Sequence, residues 1–338
     1  MDARGLVTLD EWEAAARNVL PAGVFDYIAG GAGAEQTLAD NEAAFARQQV
    51  WPRVLRRSGS PDPRTEVLGM PLSFPVAVAP WAFQWQVHPD GEQATARAAA
   101  AVGTAMCVSS TVLDQVEDIA GAGDILWWQL YLWRDREATG ALLRRAHAAG
   151  YRAVVWTVDV PALGLRHRDA RTGFQLPVGP AGTSQEFDPD ISWGDLAWIR
   201  GQVPGMPVVV KGVLRPDDAR AALDHGAEAI VVSNHGGRQL DRAPAALDAL
   251  PGVVAAVEGR VPVLMDGGVR HGVDVLIALA LGAAAVLIAR PTAWGLAVDG
   301  QAGVEAVLGF LRDGFVNAMA NAGCRTVPDI DAGLLRPS

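Results

Sequence analysis

His235 directly follows the apolar run 229–234 and is itself followed by Gly236, Gly237 and Arg238. Imidazole is the side chain suited to proton transfer near neutral pH, and paired glycines let a backbone turn tightly beside a ligand. Alone, such a histidine fits an ordinary turn equally well. The other histidines offer less. His147 and His225 lie in helical patterns, where a solvated or capping role suffices, and His88, His167 and His271 fall in loops.

What sets His235 apart is its company. Polar residues end six apolar runs: Ser109 and Ser110, Gln129 and Tyr131, Thr157 and Asp159, Lys211, Ser233 with Asn234 and His235, and Asp266. Arg290 ends a further run. Lys211 closes an apolar segment, where a charge must be paired or put to use. It suits a cofactor that becomes anionic, such as reduced flavin, and equally a Schiff-base lysine; spacing does not separate the two. Asp266-Gly267-Gly268-Val269-Arg270 and Arg290 form a second constellation. Small residues for close backbone approach and two forked guanidiniums read as a phosphate site, which the glycines alone would not. Gly30-Gly31-Ala32-Gly33 follows a helical pattern rather than a strand, so it reads as a helix-ending turn and not a dinucleotide fingerprint.

These residues need a scaffold that gathers strand ends. Eight apolar runs recur at 75–80, 104–109, 126–131, 153–159, 207–212, 229–234, 261–268 and 285–290. Each is nearly continuous in apolar residues, as parallel strands covered on both faces are. Helical patterns such as 91–102, 137–149, 216–226 and 273–282 follow most of them. Eight such units predict a (β/α)8 TIM barrel over residues 75–326, whose chemistry lies at the strands' carboxyl ends; a doubly wound open sheet is the alternative. Residues 1–74 read as helices and an irregular Pro-containing stretch packing on the barrel, opened by a capping box at Thr8 and Glu11. Residues 160–192, rich in Gly, Pro and Asp, read as a lid loop, and 327–338 as a tail.

With 338 residues, half of them apolar and a net charge of −10, nucleic acid is a poor partner, because phosphate backbones need a concentrated basic surface. Cys107 and Cys324 lie far apart, which supports neither a disulfide framework nor a zinc site; Cys107 reads as a buried apolar residue and Cys324 as incidental. No apolar run is long enough for a membrane span, and residues 1–20 do not read as a signal peptide. The expectation is a soluble, cytoplasmic enzyme without a metal.

The segment 233–241 (SNHGGRQLD), followed by 266–270, closely resembles the FMN-dependent α-hydroxy acid oxidases and dehydrogenases. FDYIAGGA (25–32), Pro80 with Ala82, QLY (129–131), TVD (157–159) and VKG (210–212) extend that resemblance over about residues 8–326. It implies FMN held by the backbone of Pro80 to Ala82 and by Ser109, Gln129, Thr157, Lys211, Ser233, Asp266, Gly268, Arg270 and Arg290. It implies a substrate carboxylate gripped by Arg166 and Arg238 with Tyr27, and Tyr131 on the hydroxyl oxygen. His235 would be the base and Asp159 its orienting partner. The expected reaction is oxidation of an (S)-2-hydroxy acid to a 2-keto acid, with O2 as acceptor and H2O2 as product, in a homotetramer.

The sequence also departs from the family pattern. Trp81 stands where a small or β-branched residue is more usual, Leu165 replaces an arginine beside Arg166, Ala289 replaces a glycine, and the lid is shorter. Trp85, Trp127, Trp128, Trp133 and Trp156 suggest a Trp-rich upper barrel, mostly of packing residues, in which Trp81 or Trp128 would shape a pocket for a larger or aromatic side chain. The reduced lid would expose the site to a bulkier or carrier-bound acid. A dehydrogenase or monooxygenase of the same family, and a flavin-free phosphosugar isomerase or aldolase barrel, are the competing readings.

Overall fold

The computed structural model describes residues 5–56, 59–112, 114–175 and 187–336. Thr8 opens α1 (Leu9–Val19) through the expected reciprocal cap with Glu11. Its buried Leu9, Trp12 and Ala16 recur at helical spacing on one face. α2 (Ala22–Ala29) and α3 (Gln36–Ala46) follow. A hairpin unforeseen in the sequence comes next: β1 (Thr65–Val67) and β2 (Met70–Leu72), turned by Leu68 and Gly69, both at positive φ. With three residues a strand and Pro71 in the second, it carries too little alternation to read in advance.

Eight parallel strands then close into the expected barrel: β3 (Val76–Val78), β4 (Ala105–Val108), β5 (Ile125–Leu130), β6 (Ala153–Thr157), β7 (Val208–Val213), β8 (Ala229–Val232), β9 (Val263–Asp266) and β10 (Ala285–Ile288), with β10 beside β3. Around it lie α4 (Gly91–Val102), α5 (Val116–Ala122), α6 (Arg136–Ala148), α7 (His167–Thr172), α8 (Asp195–Gln202), α9 (Pro216–Asp224), α10 (Ala246–Val257), α11 (Gly272–Ala280) and α12 (Arg290–Ala322), the last kinked at Asp299 and Gly300. α7 is a short helix within the expected lid, stopped by Gly173 at φ 68°. Residues 176–186, the centre of that lid, lie outside the described residues. Among the described residues no helix is long and apolar enough to cross a membrane.

Side chains on a strand alternate between its two faces, and this alternation separates the core into two packed regions. Ala77, Ala105, Cys107, Trp127, Ala153, Val155, Val209, Ala229, Val231, Leu264, Ala285 and Leu287 fill the barrel interior. Most are small, and Trp127 supplies the missing bulk. Its indole N–H donates to Met70 Sδ at 3.4 Å, so the hairpin, with Val67, Met70 and Leu72 in the same cluster, plugs the amino end. Trp128 and Trp156 point the other way, into the layer beneath the helices, where Trp128 meets Tyr151 edge-on. The expected Trp-rich upper barrel is therefore corrected: alternation sends these three indoles to the plugged end and the outer layer. Cys324 is also buried, like Cys107.

Candidate active site

The alternation that packs the interior also builds the site. On six strands the last inward position is polar: Ser109 follows Cys107, Gln129 follows Trp127, Thr157 follows Val155, Lys211 follows Val209, Ser233 follows Val231 and Asp266 follows Leu264. All six are buried. Lys211 Nζ lies 3.0 Å from Asp266 Oδ2 and donates to Ser233 Oγ at 3.0 Å. Burial works against its charge, but Asp266 and Asp159 outweigh it and raise the ammonium pKa. Lys211 is thus paired and remains a cation. Gln129 Oε1 accepts from Ser109 Oγ and from the Ser110 amide, whereas its Nε2, Thr157 Oγ1 and Asp266 Oδ1 are buried with no partner among the described residues.

Above this floor, His235 Nδ1 lies 2.9 Å from Asp159 Oδ1. A carboxylate only accepts, so Nδ1 carries the proton and Nε2 presents its lone pair. Tyr131 Oη stands 3.5 Å from that Nε2. Burial raises the Tyr131 phenol, and Asp159 adds to the effect, so it stays protonated. Burial raises the Asp159 carboxyl too, but His235, through its hydrogen bond and its attraction once the ring is protonated, together with Lys211, overcomes this and holds it below the ordinary value. Gly212 makes room for the pair: at φ 110° a Cβ there would meet Asp159 Cβ and Cγ at 2.7 Å.

Tyr27 lies close to two cations. Arg238 and Arg166 place their guanidinium carbons 4.8 and 5.1 Å from its ring centroid, and Phe174 stacks on it at 4.7 Å. Arg166 is ion-paired with Asp169 at 2.9 Å. Arg238 donates instead to the carbonyls of Tyr27 and Gly30, at 2.6 and 3.0 Å. Arg290 donates to the carbonyls of Ile28, Gly30 and Gly236 at 2.9–3.1 Å. The carbonyls ending α2 form the negative pole of its dipole and so hold both arginines. Among the described residues, Arg290 has no carboxylate within ion-pair distance. Burial, then Arg238 and Arg270, bring its pKa down to about 9. A buried cation of this kind needs an anion.

Arg270 also has a protein partner, its Nη2 lying 2.6 Å from Glu42 Oε1. Gly268 has φ 84°, and a Cβ there would meet Asn41 O at 2.1 Å, so α3 as well as any ligand requires glycine. One cleft is lined by Tyr27, Pro80, Ala82, Ser109, Gln129, Tyr131, Arg166, Lys211, His235, Arg238, Asp266, Gly268, Arg270 and Arg290. Thr157, Asp159 and Ser233 support it from behind. Trp81 lines the cleft as expected, while Trp128 does not.

Sequence reasoning missed Phe83, Phe187 and Gln239, which also line the cleft. Phe187 packs on Tyr131 at 4.6 Å. Gln239 Nε2 donates to the carbonyls of Asp159 and Ala162, tying the loop after β8 to the loop after β6. The only sequence signal for Gln239 was its place three residues after the turn glycines' first member.

Residues 16–337 match the family described as FMN-dependent dehydrogenase. Human 2-hydroxyacid oxidase 1 is 45% identical over 358 aligned positions, covering 98% of this chain and 96% of that protein. L-lactate oxidase of Nostoc sp. is 46% identical, covering 97% and 98%. A crystal structure of mandelate oxidase superposes with a TM-score of 0.93 at 45% identity, covering 98% of each chain. With a family match across nearly its whole length and relatives this similar, the chain belongs to the FMN-dependent dehydrogenase family.

Proposed function

We propose that this protein oxidises an (S)-2-hydroxy acid to the corresponding 2-keto acid, on a bulky or aromatic acid by preference. The observation that carries the reading is the His235–Asp159 pair, with Tyr131 at its free nitrogen and two arginines across the cleft. FMN fits the residues below it. Gln129 Nε2, Thr157 Oγ1 and Asp266 Oδ1 are open hydrogen-bonding atoms, and Arg290 is a cation short of an anion, as a phosphate would be. Pro80, Ala82, Ser109, Gln129, Thr157, Lys211, Ser233, Asp266, Gly268, Arg270 and Arg290 hold the cofactor. When bound, FMN supplies the two-electron acceptor, with dioxygen as the final oxidant and hydrogen peroxide as product.

Arg166 and Arg238 bind the substrate carboxylate, with Tyr27 beside both. Tyr131 donates to the hydroxyl oxygen. His235 Nε2 takes the proton, and Asp159 stabilises the imidazolium this creates. Lys211 keeps a buried positive charge where negative charge develops. Trp81, Phe83 and Phe187 give the cleft an aromatic wall, which supports a large apolar side chain, as does similarity to a mandelate oxidase variant solved with (S)-mandelic acid.

Anaerobic addition of (S)-mandelate should bleach the flavin, and aerobic turnover should consume oxygen and release peroxide. Bleaching without oxygen uptake would make the enzyme a dehydrogenase. His235→Ala should retain the yellow cofactor yet not bleach, and normal bleaching by that variant would overturn the assignment. The same proposal has the enzyme as a cytoplasmic homotetramer, checked by cell fractionation and analytical ultracentrifugation.

A further inference from the structure

The turn joining α2 to α3 is hydrogen-bonded to two of the segments that carry site residues. The Ala32 amide donates to Gly237 O at 2.8 Å, beside His235 in the loop after β8, and the Gly33 amide to Leu165 O at 2.9 Å, beside Arg166. The Ala34 amide donates to Asp241 Oδ2 at 2.8 Å. Glu35 closes this turn in a left-handed conformation, φ 63°, with its amide donating to Ala32 O.

The Glu35 carboxylate faces two ways. Oε1 accepts from the Gly31 amide at 2.9 Å. That N–H belongs to the same peptide unit as the Gly30 carbonyl, which accepts from both Arg238 and Arg290. A peptide unit is rigid and planar, so fixing its N–H aims its carbonyl. Oε2 pairs with Arg168 Nη2 at 2.5 Å, two residues beyond Arg166, and Asp26 Oδ1 lies 3.8 Å from Arg168 Nη1. Arg168 is on α7, whose amino end is Arg166.

We propose that Glu35 is a positioning residue with two separable arms. Its Gly31 arm aims the carbonyl that orients Arg238 and Arg290, and its Arg168 arm seats α7 so that Arg166 faces the cleft. Glu35 touches neither reactant; it sets where three guanidiniums stand. The anion-gripping part of this inference rests on the proposed function.

Three variants separate the arms: Arg168→Met, Glu35→Gln and Glu35→Ala. Two quantities are measured for each: KM and kcat with (S)-mandelate, or (S)-lactate if mandelate is not oxidised, and FMN release on diluting the holoenzyme, read by flavin fluorescence. Arg168→Met breaks only the α7 arm. Glu35→Gln keeps an oxygen for the Gly31 amide but loses the charge facing Arg168. Both should raise KM about 3- to 5-fold at near-constant kcat, as for a half-buried ion pair, and leave FMN release unchanged. Glu35→Ala loses both arms and should also weaken FMN retention about 10-fold, as for a lost charge-assisted hydrogen bond. Glu35→Ala with KM and FMN release both within twofold of wild type would overturn the proposal. So would Arg168→Met weakening FMN retention as much as Glu35→Ala, since that would mark a general collapse of the turn. A wild-type protein that oxidises neither acid defeats the proposed function instead, and FMN release still tests the Gly31 arm.

Discussion

His235 and Asp159 lie 76 residues apart in sequence, yet Nδ1 of one stands 2.9 Å from Oδ1 of the other. The contact joins the loops after β8 and β6 across the intervening β7, and Gly212 of that strand is the residue they pass over. The second Asp159 oxygen is buried with no partner among the described residues. The carboxylate therefore has one task in this arrangement, to hold the ring and balance its charge.

Asp159→Asn keeps an oxygen able to accept from Nδ1 but removes the negative charge. Turnover should fall about 100- to 10,000-fold, because the base His235 loses the charge that stabilises its imidazolium, with flavin content unchanged. Stopped-flow flavin reduction checks this. A variant that reduces its flavin at the wild-type rate would show that the charge is not needed.

Lys211 and Asp266 are both buried, at 4% and 9% side-chain exposure. Lys211→Met leaves a buried carboxylate without its cation, which costs about 3–5 kcal/mol. The double variant Lys211→Met/Asp266→Asn should recover a large part of that loss without recovering flavin binding. Urea denaturation of the two variants, set against their visible spectra, distinguishes structural from functional roles.

The barrel and most of the site were legible because each strand is a short apolar run with a polar end. The eight runs 75–80 to 285–290 contain the eight barrel strands to within a residue or two at each end. Period-two counting along 125–131 would also have sent Trp127 inward with Gln129 and Trp128 outward, a step the nearly unbroken apolar character concealed. The rest depends on long-range contacts. Arg270 meets Glu42 across 228 residues, and Arg168 meets Glu35 across 133. The Gly30–Gly33 turn looked like a helix end, which it is, but which carbonyls it offers to Arg238 and Arg290 follows only from where α2 lies against the barrel.

Gly267 and Gly268 both adopt positive φ, but they differ in surroundings. A Cβ on Gly267 would come no nearer than 3.3 Å to the Asn41 side chain, whereas on Gly268 it would meet the Asn41 carbonyl oxygen at 2.1 Å. Gly268→Ala should displace α3 and lower both stability and flavin content more than Gly267→Ala does. Thermal unfolding with bound-flavin quantitation checks the order, and equal effects would mean that φ alone sets the requirement.

Glu92 is a fully buried carboxylic acid under the loop that carries Pro80 to Phe83. Its Oε1 accepts from the Gln84 amide at 3.2 Å, and its Oε2 has no partner among the described residues. Burial pushes its pKa from 4.5 to about 7. Below about pH 4.5 folded and unfolded chains both carry this proton, and the contribution to stability is complete. Between there and about pH 7 the unfolded chain has released the proton while the folded chain keeps it, so stability falls as pH rises; above that range it levels off. The whole effect is on the order of 3 kcal/mol. Glu92→Gln, which cannot ionise, should therefore be the more stable protein at pH 8 relative to wild type and should flatten the decline between pH 5 and 7. Urea midpoints across that range measure it, and parallel curves for the two proteins would show that Glu92 titrates as an ordinary carboxylate.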